Sequence, residues 1–379
     1  MRRLFLLLCI TTISPVILAQ DSPDNAKVLS LYENQRFAEA AAYLETFYQE
    51  ASTDAKLMNS LAYSYRMSRD IPKAGFYYNR LYQLDTANVT ALASLAWINQ
   101  HRGIHNAASE YYQKILLIDS SYIDAYTALA GLAKGNQDFI SAFNYLLVAN
   151  RLQPSNSTVA NDFAEICISL KKMNTADSVL TTALKSDPDN AGLIYSKAKV
   201  LDGLKKHYEV VKLTEKLIEL GEDSRPVWSL IAKSHFNLNN YEATMFTYTK
   251  AMEKYEAWGE IDYYYMAISC RHLKRLDESL DYIEQALKEA ISSNTGFYFA
   301  QKAGILIDLN KPSAAAATYI RSFQYHEEAI DYFNLAVLYD HNLKNKVNAL
   351  KYYKLYLSKE PEAQEKTYID YAKKRILAL

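Results

Sequence analysis

The chain has 379 residues, with 42 basic and 43 acidic side chains but only 10 glycines and 8 prolines. A single globular core stops growing at roughly 250–300 residues, so this length calls for several domains or for an array whose units pack only on their neighbours. Gly and Pro far below their usual ~7% and ~5% exclude a fold built of many turns and short strands, and balanced charge with no long single-sign run argues against a nucleic-acid partner.

The first residues read as an export signal. Met1-Arg2-Arg3 is a short basic start, Leu4 to Ile13 is apolar, Pro15 breaks the run, and Leu18-Ala19-Gln20 offers a small residue for cleavage. Leu4 to Ala19, interrupted by Thr11, Thr12, Ser14 and Pro15, falls short of the ~20 apolar residues that a membrane span needs. Cys9 sits inside the apolar run, not after it where a lipidated cysteine would stand. The expectation is a signal peptide over 1–19 and a periplasmic or secreted mature chain with no transmembrane span. Cleavage takes Arg2 and Arg3 off the 42 basic side chains, so the remaining 40 face 43 acidic ones.

From there the chain repeats. Phe37, Ala40, Leu44 and Phe47 mark a degenerate first unit. Ala62, Ala74 and Leu81 return 34 residues later as Ala96, Ala108 and Ile115, then as Ala130, Ala142 and Ala149, then as Ala164, Ala176 and Ala183. In each unit apolar residues recur at helical spacing on both sides of a polar break, which predicts two short amphipathic helices joined by a tight turn. The alanines mark where two helix backbones come closest, because a larger side chain would push them apart. Gln153-Pro154-Ser155-Asn156 and Asp187-Pro188-Asp189-Asn190 end one hairpin and begin the next: proline does not continue a helix, and Ser or Asn caps the following one.

The 34-residue step, with Leu61-Ala62, Leu95-Ala96 and Leu129-Ala130 and with Ala142, Ala149 and Pro154, resembles the tetratricopeptide repeat pattern. Ala replaces the Gly that usually follows that Leu. The resemblance implies an all-α, right-handed superhelical solenoid that holds a partner protein or an extended peptide in a concave groove.

Later units drift but persist through Val210-Val211, Thr244, Ser279, Ala303 with Ala315, and Ala336 with Ala349. The reading gives about nine hairpins in one uninterrupted array over 20–362. Residues 363–379 form a C-terminal capping helix that covers the open end, with Tyr368, Ala372 and Leu379 on its packing side and Lys373, Lys374 and Arg375 elsewhere.

Nothing points to catalysis. There is no Gly-rich phosphate loop, no nucleophile elbow, no paired-cysteine metal motif and no zinc-protease helix motif, so no cofactor and no metal is expected. His101 and His105 have ligand spacing, but Gly103 between them marks the turn of that hairpin. Cys167 and Cys270 occupy equivalent inner positions three units apart, too far to bridge.

In the tyrosine pairs Tyr77-Tyr78, Tyr111-Tyr112 and Tyr352-Tyr353, the second residue should pack inside and the first toward the outer side. In the Tyr263-Tyr264-Tyr265 run, Tyr264 should face the groove. Other first-helix positions that avoid the core include Lys56, Lys233, Phe236 and Arg271. An exposed Tyr63 beside Trp97, rimmed by Asn59, Arg66 and Gln100, is the candidate peptide site, since aromatic and Arg anchors carry much of interface energy. The expected function is therefore a non-enzymatic protein-binding scaffold. An envelope-assembly subunit that binds through its convex face is the alternative, and a helical-toroid glycoside hydrolase a remote one, because connections this short leave little loop for an active site.

Overall fold

The computed structural model describes residues 22–50, 52–256, 258–290 and 293–379. The expected signal peptide over 1–19 lies outside them. Every regular element among the described residues is helical. They divide into two compact units, one ending at Gln153 and the other beginning at Pro154.

The first unit holds four antiparallel pairs: α1 (Asn25–Glu33) with α2 (Phe37–Glu45), α3 (Ala55–Met67) with α4 (Ile71–Leu84), α5 (Val89–His101) with α6 (His105–Ile118), and α7 (Ile123–Gly135) with α8 (Phe139–Leu152). The second holds α9 (Ser157–Ser169) with α10 (Met173–Ser186), α11 (Ala191–Gly203) with α12 (His207–Glu219), α13 (Arg225–Asn237) with α14 (Tyr241–Met252), and α15 (Glu260–His272) with α16 (Leu276–Glu289). Two further pairs follow, α17 (Thr295–Asp308) with α18 (Pro312–Ser322), and α19 (Ala329–Val337) with α20 (Lys346–Ser358), before α21 (Lys366–Ala378) closes the chain. Ten pairs stand among the described residues where about nine were read from the period. The result is a tetratricopeptide-like array of helix pairs.

Two recurring features build each pair. The first is a small residue at the point of closest approach. Ala62, Ala96, Ala130, Ala164, Ala198 and Ala232 on first helices are buried, as are Ala40, Ala74, Ala108, Ala142 and Ala176 on second helices. Val210, Thr244 and Ser279 take the same place without any exposure. Larger than Ala, they still fit: the Thr244 hydroxyl donates to the carbonyl of Asn240 in its own helix at 2.9 Å, and that of Ser279 crosses to the carbonyl of Ala267 at 2.7 Å.

The second feature is the joint between the two helices of a pair. A residue of left-handed backbone recurs every 34 positions at Gln35, Arg69, Gly103, Gln137, Lys171, Lys205 and Asn239, and again at Lys274, Asn310 and Lys344. Around it the chain turns back and satisfies the last carbonyls of the first helix: Asp70 N–H donates to Tyr65 O at 2.9 Å, Ile104 N–H to Asn99 O at 2.8 Å, and Lys206 N–H to Leu201 O at 2.9 Å. This is the Schellman arrangement. Only Gly103 among these joints is the residue that adopts such backbone freely.

Many of the starts are fixed by side-chain caps. Asp54, Asn88, Asn156 and Asn190 cap the first helices α3, α5, α9 and α11, each accepting from a backbone N–H two or three residues on, at 2.9–3.1 Å. Tyr122 and Ser224 stand at the same register without a side-chain cap.

The capping helix is anchored by charge as well as by apolar contact. Ala372 is buried, with Ile369 and Ile376 against the last core cluster. Arg375 grips the buried Asp340 through Nε at 2.7 Å and Nη2 at 2.8 Å, and the Tyr353 hydroxyl donates to the same carboxylate at 3.2 Å. Arg375 thus belongs to the packing side of α21, contrary to the sequence expectation, because its long stem carries the guanidinium back to Asp340. Among the described residues no helix is long and apolar enough to cross a membrane.

Three outcomes follow from this architecture. Ala142→Leu should destabilise the chain by about 1–3 kcal/mol through overpacking, read by urea unfolding. Lys205→Gly should stabilise it by about 1 kcal/mol, since it relieves left-handed backbone at a side-chain-bearing residue. Asp340→Asn should speed hydrogen exchange in α21 by on the order of tenfold while leaving the early pairs unchanged. Arg375 holds the Asp340 carboxyl below the usual carboxylate range. That contribution is present above the unfolded-state pKa and is lost as pH falls through the lower folded one, so acid should loosen α21 in the parent and not in the variant.

Candidate functional site

In the first unit, α1, α3 and α5 present a continuous strip of rings and one cation. Tyr32 meets Phe37 and Tyr63 at centroid distances of 5.7 and 5.3 Å. Its hydroxyl lies 2.9 Å from Ser64 Oγ and donates to the Ser60 carbonyl at 3.2 Å. Burial pushes this phenol up. Beyond Tyr63, the Arg66 guanidinium sits 5.8 Å from its ring and 5.7 Å from that of Trp97. Trp97 in turn lies against His101 at 3.8 Å, and His101 Nδ1 is 2.9 Å from the Trp97 carbonyl one turn back.

Of the predicted residues, Tyr63, Arg66 and Trp97 are thus brought together, with one change. Tyr63 is half-buried and reaches Trp97 through Arg66, not by direct ring contact, because its own face is taken by Tyr32 and Phe37. Asn59 is exposed; Arg66, Trp97 and Gln100 are half-buried. Gln100 Oε1 accepts from the Tyr112 hydroxyl at 3.3 Å, which fixes its amide and leaves the nitrogen for another partner. A guanidinium between two aromatic faces is a strong cation–π position. It also keeps Arg66 extended beside surfaces onto which a peptide side chain could stack.

Tyr264 belongs to the second unit and to a different cluster. It meets Phe236 of α13 at 6.3 Å and Phe297 and Tyr298 of α17 at 5.4 and 5.7 Å, and burial raises its pKa. Phe297 is 44% exposed at the edge of this group. Tyr263 and Tyr265 are also half-buried, so the triplet divides its area between core and surface as consecutive helix positions must.

The tyrosine pairs follow expectation for the inner member only. Tyr78, Tyr112 and Tyr353 are buried, but so are Tyr77 and Tyr352. Tyr77 is enclosed by Tyr48 and Tyr65 at 5.0 and 5.8 Å, and Tyr352 stacks on Tyr339 and Tyr332 at 5.6 and 6.4 Å. The outer position thus meets rings of the adjoining helices. Tyr111, with rings at Tyr82 and a cation at Lys114, remains half-buried.

His101 and His105 end one helix and begin the next, with Gly103 at φ +75° between them. No metal-holding cluster occurs among the described residues. Cys167 and Cys270 are buried free thiols whose pKa values burial pushes up to about 11.

The sequence reading missed a pocket of about 390 Å³ in the second unit, between α15, α17, α18 and α19. Its walls include Arg271, Gln301, Tyr319, Asp331 and Asn334. Arg271, expected on the free first-helix face, is held by Asp308, whose Oδ2 accepts from Nε at 2.6 Å. Asp331 is 9% exposed, and its carboxyl is pushed up to about 6, first by burial and then by the charge of Glu328. The Tyr319 hydroxyl is raised to about 12, by burial and then by the Asp331 charge. The signal was available in Ala329-Ile330-Asp331-Tyr332-Phe333, where an acid interrupts an apolar run.

No family model matches this chain, and no curated protein does. Among solved structures it is similar to a tetratricopeptide repeat protein from Parabacteroides merdae, at 14% identity and TM-score 0.44, over 64% of this chain and 96% of that one. It is also similar to Pseudomonas aeruginosa PilF, at 16% identity and TM-score 0.44, over 54% and 93%. YrrB, described as a TPR protein with an unusual peptide-binding site, aligns at 17% identity and TM-score 0.41, over 50% and 95%.

Two measurements test these environments. With Cys9 replaced by Ser, native thiols at pH 8 should react with a disulfide reagent more than a hundredfold slower than a free cysteine, from thiolate fraction alone, and at the free rate in urea. Asp331 has a folded pKa above its unfolded one, so the native state holds the extra proton and stability falls as pH rises from about 4 to 6. Asp331→Asn should therefore be more stable than the parent at pH 7.5, by up to about 3 kcal/mol, and equal to it near pH 4, as read by thermal unfolding.

Proposed function

We propose that this chain is an exported, non-catalytic docking scaffold that holds an extended segment of a partner protein along the first-helix face of its first unit. The observation that carries this reading is the Tyr63–Arg66–Trp97 strip. It is half-exposed, pre-ordered by Tyr32 and His101 beneath and beside it, and flanked by amide groups at Asn59 and Gln100. Rings and a guanidinium already held in place lose little freedom on binding and make strong interface anchors. Asn and Gln side chains supply the donor and acceptor pair that an extended backbone requires. The basic-then-apolar start of the chain supports export to the envelope.

A second reading has its own support. Phe76, Leu117 and Ile140, on α4, α6 and α8, are 51%, 87% and 61% exposed, and a partner covering these second helices would bury them. That arrangement would suit a subunit of an envelope assembly.

Pull-down from envelope extracts separates the two. Tyr63→Ala/Trp97→Ala should reduce recovery of the bound partner by about thirtyfold, the effect of losing roughly 2 kcal/mol at anchor residues, while Phe76→Ser/Leu117→Ser leaves it unchanged. The opposite pattern would assign binding to the second-helix face.

A further inference from the structure

We propose that the pocket between α15, α17, α18 and α19 of the second unit binds an organic ammonium group, with the Asp331 carboxylate as its counter-ion. All its walls lie in the second unit, so the proposal stands apart from the docking strip of the first.

The charge arrangement selects the sign of the ligand. Asp331 is nine-tenths buried and lines the pocket, and among the described residues no group donates a hydrogen bond to its carboxylate. The one guanidinium in the wall is committed elsewhere, since Arg271 pairs with Asp308 at 2.6 Å. Gly304 leaves room for that guanidinium against α17. A Cβ on it would lie 2.8 Å from Arg271 Nη1, so a side chain there would oblige the guanidinium to shift. With Arg271 paired to Asp308, the Asp331 charge is offset only in part, by a protonated His326. Glu328 adds a second negative charge nearby, and His326, paired to Glu328 at 2.6 Å, stands on the same turn. A buried carboxylate without donors is expensive to keep, and a cation that brings its own N–H groups removes that expense.

The rest of the pocket fits the remaining parts of such a ligand. An ammonium carries three donors, and the side-chain oxygens of Gln301, Asn334 and Asn342 in the wall are neutral acceptors that complement the carboxylate. Ala300, Ile307 and Val337 give an apolar lining to an alkyl stem. Asn342 reaches the wall because the chain after α19 runs through a π-helical turn, Leu338–Asn342, a departure that often accompanies function. A pocket of about 390 Å³ lies at the small end of ligand sites. It suits a lysine side chain or a short free amine and is too small for a folded partner.

Calorimetric titration of the full chain at pH 7.5 tests this with three probes: the peptide acetyl-Ala-Lys-Ala-amide, the same peptide acetylated on the lysine nitrogen, and cadaverine. Binding of the lysine peptide, of cadaverine or of both supports the proposal when the acetylated peptide binds at least tenfold more weakly and Asp331→Asn lowers the affinity at least tenfold. Binding of the lysine peptide alone identifies a side chain of a partner as the source, and binding of cadaverine, with or without the peptide, a free amine. Circular dichroism checks that Asp331→Asn remains folded, and its near-isosteric shape keeps the pocket intact. Equal affinity for the acetylated peptide, an unchanged affinity in Asp331→Asn, or no heat from either ammonium probe at millimolar concentration overturns it.

Discussion

Two helix backbones lie this close where the facing position carries a small or compact side chain, Ala in most pairs and Val, Thr or Ser in the others. That steric limit, met at Ala40, Ala74, Ala108, Ala142 and Ala176 and at their counterparts on the first helices, governs the rest of the structure. Close approach brings the flanking Leu, Ile and Tyr side chains into mutual contact. It also fixes the distance that each joint must cover, and a joint with one left-handed residue spans it. With the pair so defined, one face of each first helix is left for the neighbouring pair and for solvent. The aromatic strip of the first unit and the Asp331 pocket of the second both occupy that leftover face.

Much of this could be read from the chain itself, because the limit acts on residue type. An alanine that recurs every 34 positions marks a contact that calls for a small side chain, and Asp or Asn at Asp54, Asn88, Asn156 and Asn190 announces a helix start by chemistry. The joints were less legible. Glycine would have marked them, yet Gln, Arg, Lys and Asn adopt the left-handed backbone at most of them, held there by the hydrogen bonds on either side. Arg375 is hard to place from sequence for a related reason, since a long cationic side chain on a terminal helix looks solvated until its partner, Asp340, is located.

The candidate site shows the same boundary. Tyr63, Arg66, Trp97 and Gln100 could be assigned to one face by periodicity, but their mutual arrangement could not, because Arg66 chooses between solvent and two rings by tertiary packing. Asp331 escaped notice because a single acid on a helix is ordinarily at the surface. An acid inside an apolar run hints at burial, but the packing of α15, α17 and α18 around it is not encoded in any local pattern. Tyr77 and Tyr352 show that outer positions of a second helix are not outer when rings of its own partner helix and the adjoining turn close over them.

The π-helical turn at Leu338–Asn342 bears on how such an array tolerates change in length. The small residue and the left-handed joint are seven positions apart at Ala62 and Arg69 but eight apart at Ala336 and Lys344. An extra residue in an α-helix would rotate everything after it by ~100° and aim α20 away from α19. The wider turn absorbs that residue, so the phase on its far side is restored and Tyr353 and Tyr356 still enter the core. An insertion inside a helix is thereby made silent for the packing downstream, while the backbone it displaces is delivered to the wall of a pocket.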